Sequence, residues 1–364
     1  MDRRPEIEVN VAERVMDLAR WAASADNAQT WRFEFTGHST VRVHAHGLGR
    51  ETGVFDFGGA ATLMALGGLI ETASQAATCF ACRTQVYWRE APGPHRYVFD
   101  LCFEPEPGLQ PSALAAYIEA RATQRGGLSR RALSMADKWA LQDAAGNYRL
   151  VWLEERERTA AAWLNFRLAD ARLRIPELYP NLAVTFNPDP NVRFTQTRMP
   201  AASLPVDPLT RHLVVWALQS QARLVGVSRL LGTAPTRLLL DLIPGLRCAA
   251  HIGLMAPGEP KTQADHVAAG RAFARLWLCA EQRGIRMQPE YMALEFSRQV
   301  RADQPITRVP ALRRKVQRLA KEFEDLLSPA PVRSCVMLAR LGYGPATWAR
   351  SLRLPLQDLL YVRP

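Results

Sequence analysis

The segment Arg121-Ala122-Thr123-Gln124-Arg125 carries residue types that can bind a phosphate group. Its two guanidinium groups, four residues apart, present planar forks of N–H donors that match phosphate oxygens, and the Thr123 hydroxyl between them adds a further hydrogen bond. The alternative is a solvent-exposed helix end that happens to carry two arginines. The choice between the two depends on what the rest of the chain supplies.

A second segment, residues 22–33, joins a helical pattern to an aromatic-rich strand through small and polar residues. Small side chains such as Ser24 and Ala25 let backbone N–H groups approach a flat ligand closely. The amides of Asn27 and Gln29 supply oriented donors and acceptors. The alternative is an ordinary helix-to-strand connection.

The order of residues in this second segment is more informative than its composition. Residues 23–31 resemble the Pro-Ser-x-x-Asn-x-Gln-Pro-Trp segment of the nitroreductase family of FMN flavoproteins, with Ala23 and Thr30 at the two proline positions. Members of that family are usually homodimers with two FMN sites at the subunit interface. One subunit contributes an Arg-x-Ser-x-Lys/Arg segment and a C-terminal basic pair to the phosphate, and the other places the proline-containing loop against the flavin ring.

The resemblance implies FMN as the cofactor, bound by residues from both ends of the chain. The residues implied at the phosphate are Arg121, Thr123, Arg125, Arg350, Ser351 and Arg353, where Ser351 stands at a position that is basic in the family and Arg350 can replace it. The residues implied at the flavin ring are Ser24, Ala25, Asn27 and Gln29, with Pro289 as a wall opposite. NAD(P)H is a possible electron donor, because family members stack it on the flavin and need no G-x-G-x-x-G unit. No catalytic acid or base stands out.

Hydrophobic periodicity predicts helices and strands on both sides of these segments. Helices are predicted over residues 11–21, 55–77, 134–145, 157–173, 213–224 and 265–283, and from residues 112 and 310 onward. Strands are predicted over residues 31–35, 40–46, 85–88, 97–103, 148–153, 251–255 and 336–341. Between them, residues 175–209 are rich in Pro, Asn and Asp, and a loop of this length is usually a lid or a binding loop.

Two of the predicted helices carry internal glycines, Gly67 and Gly68 in one and Gly270 in the other. Glycine costs about 0.5–1 kcal/mol in a helix interior, so several of them imply a close approach to another helix or to a ligand. The two helices also lie in similar surroundings about 200 residues apart, which indicates an internal repeat.

The repeat resembles the fused-dimer branch of the nitroreductase family, typified by the mycobacterial Acg-like proteins. It implies an α+β, nitroreductase-like fold of two pseudo-symmetric halves, each with a mainly antiparallel sheet flanked by helices. The Pro/Gly-rich stretch Glu104–Gly108 places the boundary, giving halves of residues 1–108 and 109–364, with the insertion at 175–209 in the second. One FMN site and a monomer with an internal pseudo-dimer are then expected.

Charge and cysteine content exclude several other classes of protein. The net charge is +11, yet only four of the 46 basic residues are Lys and the Arg residues are scattered, so no nucleic-acid partner is expected. No apolar run is long enough for a membrane span and no leader is recognisable, so a cytoplasmic location without membrane contact is expected. His44, His46, Cys79 and Cys82 could form a His₂Cys₂ zinc site, but without a second CxxC no metal is expected.

The resulting hypothesis is an FMN-dependent oxidoreductase that reduces or dehydrogenates a small organic substrate through the bound flavin. The alternative is a flavin-binding or flavin-storing protein with little turnover. A basic nucleic-acid adaptor is a third and weaker hypothesis.

Overall fold

The computed structural model of the protein describes residues 10–47, 56–91 and 93–362. The N-terminal part of the described chain forms one four-stranded sheet with two helices. Its elements are α1 (Val11–Ala19), β1 (Trp31–Gly37), β2 (Thr40–His46), α2 (Ala60–Thr78), β3 (Cys82–Arg89) and β4 (Arg96–Pro105). Side chains such as Trp31, Phe33, Phe99 and Phe103 are fully buried between this sheet and its helices, as the period-two alternation of the strands requires.

The longer remainder of the chain forms a second four-stranded sheet, more helices and a short two-stranded sheet. Its elements are α3 (Met135–Ala144), β5 (Arg149–Leu153), α4 (Glu155–Arg174), α5 (Tyr179–Thr185), β6 (Phe194–Thr195), α6 (Pro208–Leu218), α7 (Gln221–Leu230), α8 (Ala234–Arg237), α9 (Ile243–Leu246), β7 (Ala250–Met255), α10 (Gln263–Gln282), β8 (Ile285–Pro289), α11 (Met292–Arg301), α12 (Pro310–Leu327), β9 (Cys335–Tyr343) and β10 (Arg350–Ser351). A π-helical turn, Leu238–Leu242, connects α8 to α9.

The two larger sheets order their strands in the same way. The first has the order β1-β2-β4-β3 and the second the order β5-β7-β9-β8, and all neighbouring strands are antiparallel. In each sheet, a long helix connects the strands that are second and third along the chain: α2 connects β2 to β3, and α10 connects β7 to β8. The predicted mixture of helices and antiparallel sheet is therefore confirmed.

Helices α2 and α10 cross at a distance that only glycine permits. A Cβ atom on Gly67 would lie 2.0 Å from the carbonyl oxygen of Val267, and one on Gly270 would lie 2.0 Å from that of Met64. Next to the crossing, the buried carboxylate of Glu71 accepts hydrogen bonds from Arg271 Nε and Arg275 Nη1, both at 2.9 Å. The predicted close approach of the glycine-containing helices is confirmed as a contact between the two helices.

The C-terminal segment after β9, residues 344–362 and here called the tail, leaves the second sheet and packs against the first. Leu359 is buried in the core of the first sheet, and Tyr361 N donates to Phe33 O at 2.8 Å. Before that point, β10 pairs with β6 in parallel, with Leu352 N donating to Thr195 O at 2.7 Å. The tail is thereby fixed between the two parts of the chain.

Residues 175–246, here called the cover, lie between α4 and β7 and are more helical than the sequence predicted. The stretch expected to be a loop at 175–209 contains α5, and the helix predicted at 213–224 is two helices, because Ser220 takes an extended backbone conformation between α6 and α7. The helix predicted from residue 112 is reduced to a single 3₁₀ turn, Ala115–Tyr117, in which Ala115 is fixed in the core of the first sheet. Helix α11 was not predicted.

Candidate ligand-binding cavity

A cavity of about 540 Å³ lies between the crossing helices, the loop after α1, the tail and the cover. This volume falls within the range of about 300–1,000 Å³ that is usual for small-molecule sites. The sequence-predicted residues that line it are Ser24, Ala25, Asn27, Arg121, Thr123, Arg125, Pro289, Arg350, Ser351 and Arg353. Residues more than 300 positions apart in the sequence are thus brought together at one cavity.

One end of the cavity, here called the cationic end, consists of Arg121, Arg350 and Arg353. Each guanidinium donates only to backbone carbonyls: Arg121 to Trp21 O at 2.8 Å, Arg350 to Glu119 O at 2.6 Å and Arg353 to Ala22 O at 3.0 Å, among others. Within the described part of the chain, none of the three has a carboxylate within the 4.0 Å of an ion pair. Three guanidinium groups therefore share one end of a cavity without an ion-paired carboxylate, although the charge of Glu119 acts on Arg350 from beyond ion-pair distance.

Burial lowers the pKa of all three guanidinium groups, and repulsion between their charges lowers those of Arg121 and Arg353 further. Burial, with the charge of Arg350 nearby, lowers the pKa of Arg121 to about 10. Burial and the charges of Arg121 and Arg350 hold the pKa of Arg353 well below its usual range. A bound anion would remove this electrostatic cost, because opposite charge nearby favours the protonated form.

The loop 24–29 next to the cationic end is held in a strained backbone conformation. Asp26, Asn27 and Gln29 have φ angles of 48°, 62° and 46°, in the left-handed region that few non-glycine residues adopt. Asn27 Nδ2 donates to Gln196 O of the cover at 2.9 Å and to Leu352 O of the tail at 3.1 Å. Such strain persists where surrounding contacts fix the backbone, and it is concentrated at ligand sites.

The side-chain amides of Gln29 and Asn27 differ in whether they have a hydrogen-bonding group available to a ligand. Gln29, expected at the flavin ring, does not line the cavity: its Nε2 donates to Gln196 O at 2.9 Å and its Oε1 accepts from Leu354 N at 2.9 Å. Gln29 therefore braces the loop against the cover and the tail. Asn27 Oδ1, in contrast, is buried and accepts no hydrogen bond from the described residues.

The middle of the cavity is apolar and is bounded by the crossing helices. Met64 and Gly68 of α2 line it together with Phe273 and Trp277 of α10, and Pro289 at the end of β8 adds to the wall. The Trp277 ring also lies 4.6 Å from the guanidinium carbon of Arg121, a favourable cation–π distance. The cavity thus combines an apolar centre with a charged end.

The other polar part of the cavity, here called the mixed end, was not predicted from the sequence. Asp26 comes from the loop, Arg172 from α4 and Asp241 from the π-helical turn of the cover. Burial raises the pKa of Asp26 and raises that of Asp241 to about 6, in both cases against the opposing charge of Arg172. Arg125 and Arg340 also line this region.

His251 and Glu290 form a buried pair behind the mixed end. His251 Nδ1 and Glu290 Oε2 are 2.6 Å apart, His251 Nε2 lies 3.1 Å from Gly245 O, and Arg340 Nη1 donates to Glu290 Oε1 at 3.2 Å. Burial opposes the charged imidazole, but the Glu290 carboxylate outweighs it and raises the pKa of His251 to about 10.

This pair predicts a pH dependence of stability above neutrality. A raised folded-state pKa means that the charged His251 stabilises the fold fully below its unfolded pKa of about 6.5, and that this contribution is lost as the pH rises to about 10. The difference in free energy of unfolding between wild type and His251→Gln should therefore shrink from pH 6 to pH 10. Urea unfolding at several pH values measures it, and a difference independent of pH would contradict the assignment.

The four residues considered for zinc do not come together as a metal site. His44 stacks on Tyr361 with ring centroids 3.7 Å apart and bonds to Glu34 at 2.9 Å. Cys82 is buried at the start of β3, whereas Cys79 is exposed. Over residues 10–47, 56–91 and 93–362, no three His, Cys, Asp or Glu side chains are grouped to hold a metal ion.

Comparisons with known proteins give a distant structural likeness. No family model matches the sequence, and no curated protein matches it. The chain is similar to a nitroreductase-like family protein from Bacillus cereus with a known crystal structure, at 12% sequence identity and a TM-score of 0.34 over 69% of this chain and 96% of that one. This likeness is too distant to assign an activity. None of the helices described has the length and apolar character needed to cross a bilayer.

Proposed function

We propose that the protein is an FMN-dependent oxidoreductase of the nitroreductase superfamily that reduces or dehydrogenates a small organic substrate. The observation that supports this most strongly is the cationic end, where Arg121, Arg350 and Arg353 lie beside an apolar cavity with no carboxylate of the described residues within ion-pair distance. A flavin mononucleotide has the matching form, because its phosphate carries nearly two negative charges and its ring system is flat and amphipathic. Charge-assisted hydrogen bonds from guanidinium groups are the usual means of binding such a phosphate.

The residues present fit this cofactor at both of its ends. Arg121, Arg350 and Arg353 would hold the phosphate, with Thr123, which lines the same cavity, as a further donor. Ser351 Oγ donates to Arg198 O at 3.2 Å, and Arg125 lies at the mixed end beside Asp26 and Arg340. Ser24, Ala25, Asn27 and Pro289 would lie along the ring system, where the unpartnered Asn27 Oδ1 offers an acceptor to an N–H group. Bound FMN would supply the redox chemistry, with NAD(P)H as the proposed electron donor.

We also propose that the chain is a fused pseudo-dimer with halves of residues 1–108 and 109–364, the second carrying the insertion at 175–209. The shared strand order of the two sheets and the reciprocal contacts of Gly67 and Gly270 support this. Loop 24–29 comes from the first half, whereas segment 121–125 and the tail come from the second. Each half would then supply one part of a single site.

The cover favours a second candidate, a flavin-storing protein with little turnover. Leu182, Phe186, Leu218 and Leu240 are among the cover residues that line the cavity. The two functions differ in whether bound flavin reacts. Anaerobic addition of NADPH should bleach the flavin absorption of an oxidoreductase within seconds, and a flavin that stays oxidised would favour storage.

The visible spectrum of the purified protein tests whether flavin is bound at all. The proposed function predicts the yellow absorption of oxidised flavin, or its appearance with quenched flavin fluorescence when FMN is added to the apoprotein. A colourless protein that does not respond to added FMN would rule out both candidates.

The fused arrangement predicts a monomer that retains flavin at low concentration. Both partners of the helix crossing belong to one chain, so the site does not require a second copy, and the net charge of +11 disfavours self-association. Sedimentation at low micromolar protein, monitored at the flavin wavelength, should show a species with the mass of one chain. Loss of flavin in step with dissociation of a dimer would show that the site is shared between chains.

A further inference from the structure

Helix α6 of the cover presents large apolar side chains to solvent at helical spacing. Leu209, Leu213 and Trp216 are 80%, 38% and 47% exposed, and their spacing of i, i+4 and i+7 puts them on one face of the helix. Val215 and Leu218 are buried on the other side. A surface helix ordinarily turns polar residues to solvent, so a helix that is apolar on both sides indicates a second contact surface.

Exposed apolar residues continue along α7 and the chain that follows it. Val225 and Leu230 of α7 are exposed, as are Leu231 and Leu238 beyond its end. Exposed apolar side chains that occur singly are normal, whereas a concentration of them marks a contact with a protein or a membrane. These residues and the three of α6 are here called the outer face of the cover.

The charged residues of this stretch all have one sign. Between Asp207 and Asp241 the sequence contains four Arg and neither Asp nor Glu. Two of the four, Arg223 and Arg229, are exposed on α7 and form no ion pair with the described residues. The guanidinium carbon of Arg223 lies 4.9 Å from the ring centroid of Trp216, which brings positive charge next to the outer face.

An anionic lipid surface complements both properties of the outer face. Helices that lie in the plane of a membrane surface insert Leu and Trp side chains and place Arg or Lys beside the headgroups. Tryptophan is in addition enriched at membrane–water interfaces. We propose that the cover docks the protein on an anionic lipid surface through the outer face and the arginines of α7. This inference is independent of the proposed function, and it departs from the expectation of no membrane contact, which considered spanning segments alone.

A second copy of the chain fits the outer face less well. A two-fold contact places the same patch of each copy against the other. Arg223 and Arg229 would then lie near their own counterparts, and residues 208–240 offer no carboxylate to pair with them. Like charges at such a contact repel, whereas the phosphates of an anionic lipid surface attract them.

Docking through the outer face would also bring the cavity close to the lipid. Val214 and Ala217 of α6 and Leu224 and Val227 of α7 line the cavity, and Leu213 both lines it and is exposed. The outer face and the cavity wall are thus two sides of one layer of helices. A helix with its side chains is about 10 Å across, so the docked protein would hold its cavity at about that distance from the bilayer.

Co-sedimentation of the purified protein with lipid vesicles tests the proposal. We expect binding to vesicles made of equal parts of phosphatidylcholine and phosphatidylglycerol, and much weaker binding to vesicles of phosphatidylcholine alone. Binding to the anionic vesicles should weaken as salt is added, because ions screen the attraction. No binding to the anionic vesicles, or equal binding to both kinds, would overturn the proposal.

Two double variants connect the binding to the residues named. Arg223→Gln with Arg229→Gln should weaken binding to the anionic vesicles about 25-fold, since each basic residue near such a surface contributes about a factor of five. Leu209→Gln with Trp216→Gln should weaken it about tenfold or more, because two apolar groups lose their burial in lipid. All four side chains are exposed and none lines the cavity, so circular dichroism should show an unchanged fold.

Trp139→Gln and Arg314→Gln are the matched controls, because both side chains are exposed on helices outside the cover, α3 and α12. Each should bind the anionic vesicles as wild type does. Unchanged binding of both double variants would place the lipid contact elsewhere and overturn the proposal. A wild-type dimer without vesicles that the Leu209 and Trp216 substitutions dissociate would assign the outer face to a second copy and overturn it as well.

Discussion

Replacement of Arg353 by methionine is expected to weaken FMN binding by about ten- to a hundredfold. A hydrogen bond to a charged group contributes about 1.5–3 kcal/mol, and each 1.4 kcal/mol is a factor of ten in affinity. Arg353 is buried at the cationic end, where burial and the charges of Arg121 and Arg350 hold its pKa well below the usual range. The protein carries this unfavourable charge, which an anionic ligand would stabilise.

The same substitution should not destabilise the protein without ligand. Methionine retains much of the apolar stem of arginine, and removing a repelled charge offsets the loss of the hydrogen bonds to Ala22 O and Leu352 O. Fluorescence titration with FMN and thermal unfolding of the apoprotein measure the two effects. Arg32→Met is the matched control, since Arg32 also donates to backbone carbonyls but does not line the cavity. Equal FMN affinity in Arg353→Met and wild type would place the phosphate elsewhere.

Replacement of Gly67 by alanine is expected to destabilise the fold by about 3 kcal/mol, at the upper end of what overpacking costs. The added Cβ would lie 2.0 Å from the carbonyl oxygen of Val267, and a backbone atom cannot be moved aside by a side-chain rotation. The helices α2 and α10 would have to separate, which would also distort the apolar middle of the cavity. Gly270→Ala should act in the same way, through Met64 O.

Gly68→Ala is the control for this prediction. Its Cβ would meet no atom closer than Ala274 Cβ at 4.0 Å, and alanine is favoured over glycine in a helix interior by about 0.5–1 kcal/mol. Gly68→Ala should therefore be neutral or stabilising in urea unfolding. Similar stabilities for the Gly67 and Gly68 variants would contradict the close crossing of the two helices.

The strands and long helices could be predicted because their patterns are local. Alternation of buried and exposed residues identifies strands such as β2, and small residues identify the crossing helices α2 and α10. The secondary structure of the cover was harder to predict, because α5 and the break between α6 and α7 depend on packing against elements that are distant in the sequence. In particular, Pro and Asn residues at 175–209 indicate a loop even where tertiary contacts stabilise a short helix.

The candidate site was predictable only where a linear pattern marks it. Segment 121–125, loop 24–29 and the tail each carry such a pattern, and the structure brings them to one cavity. The mixed end has none, since Arg172 and Asp241 are 69 positions apart and neither belongs to a motif. The one signal for Asp241 was a lone charge within Leu238-Leu239-Leu240-Asp241-Leu242, a residue type that is rarely placed among leucines without a reason. Gln29 belongs to the sequence pattern but does not line the cavity, because its side chain bonds to the cover and the tail and so supports the loop.

We propose that one chain builds one FMN site from its two ends. The most direct test is to denature the purified, FMN-saturated protein after removal of free flavin and to quantify the released FMN against protein. We expect one equivalent per chain, because within the described part of the chain a single set of loop, arginine segment and tail meets at the cavity. A value near zero would contradict FMN as the cofactor, and a value near two would contradict the single site.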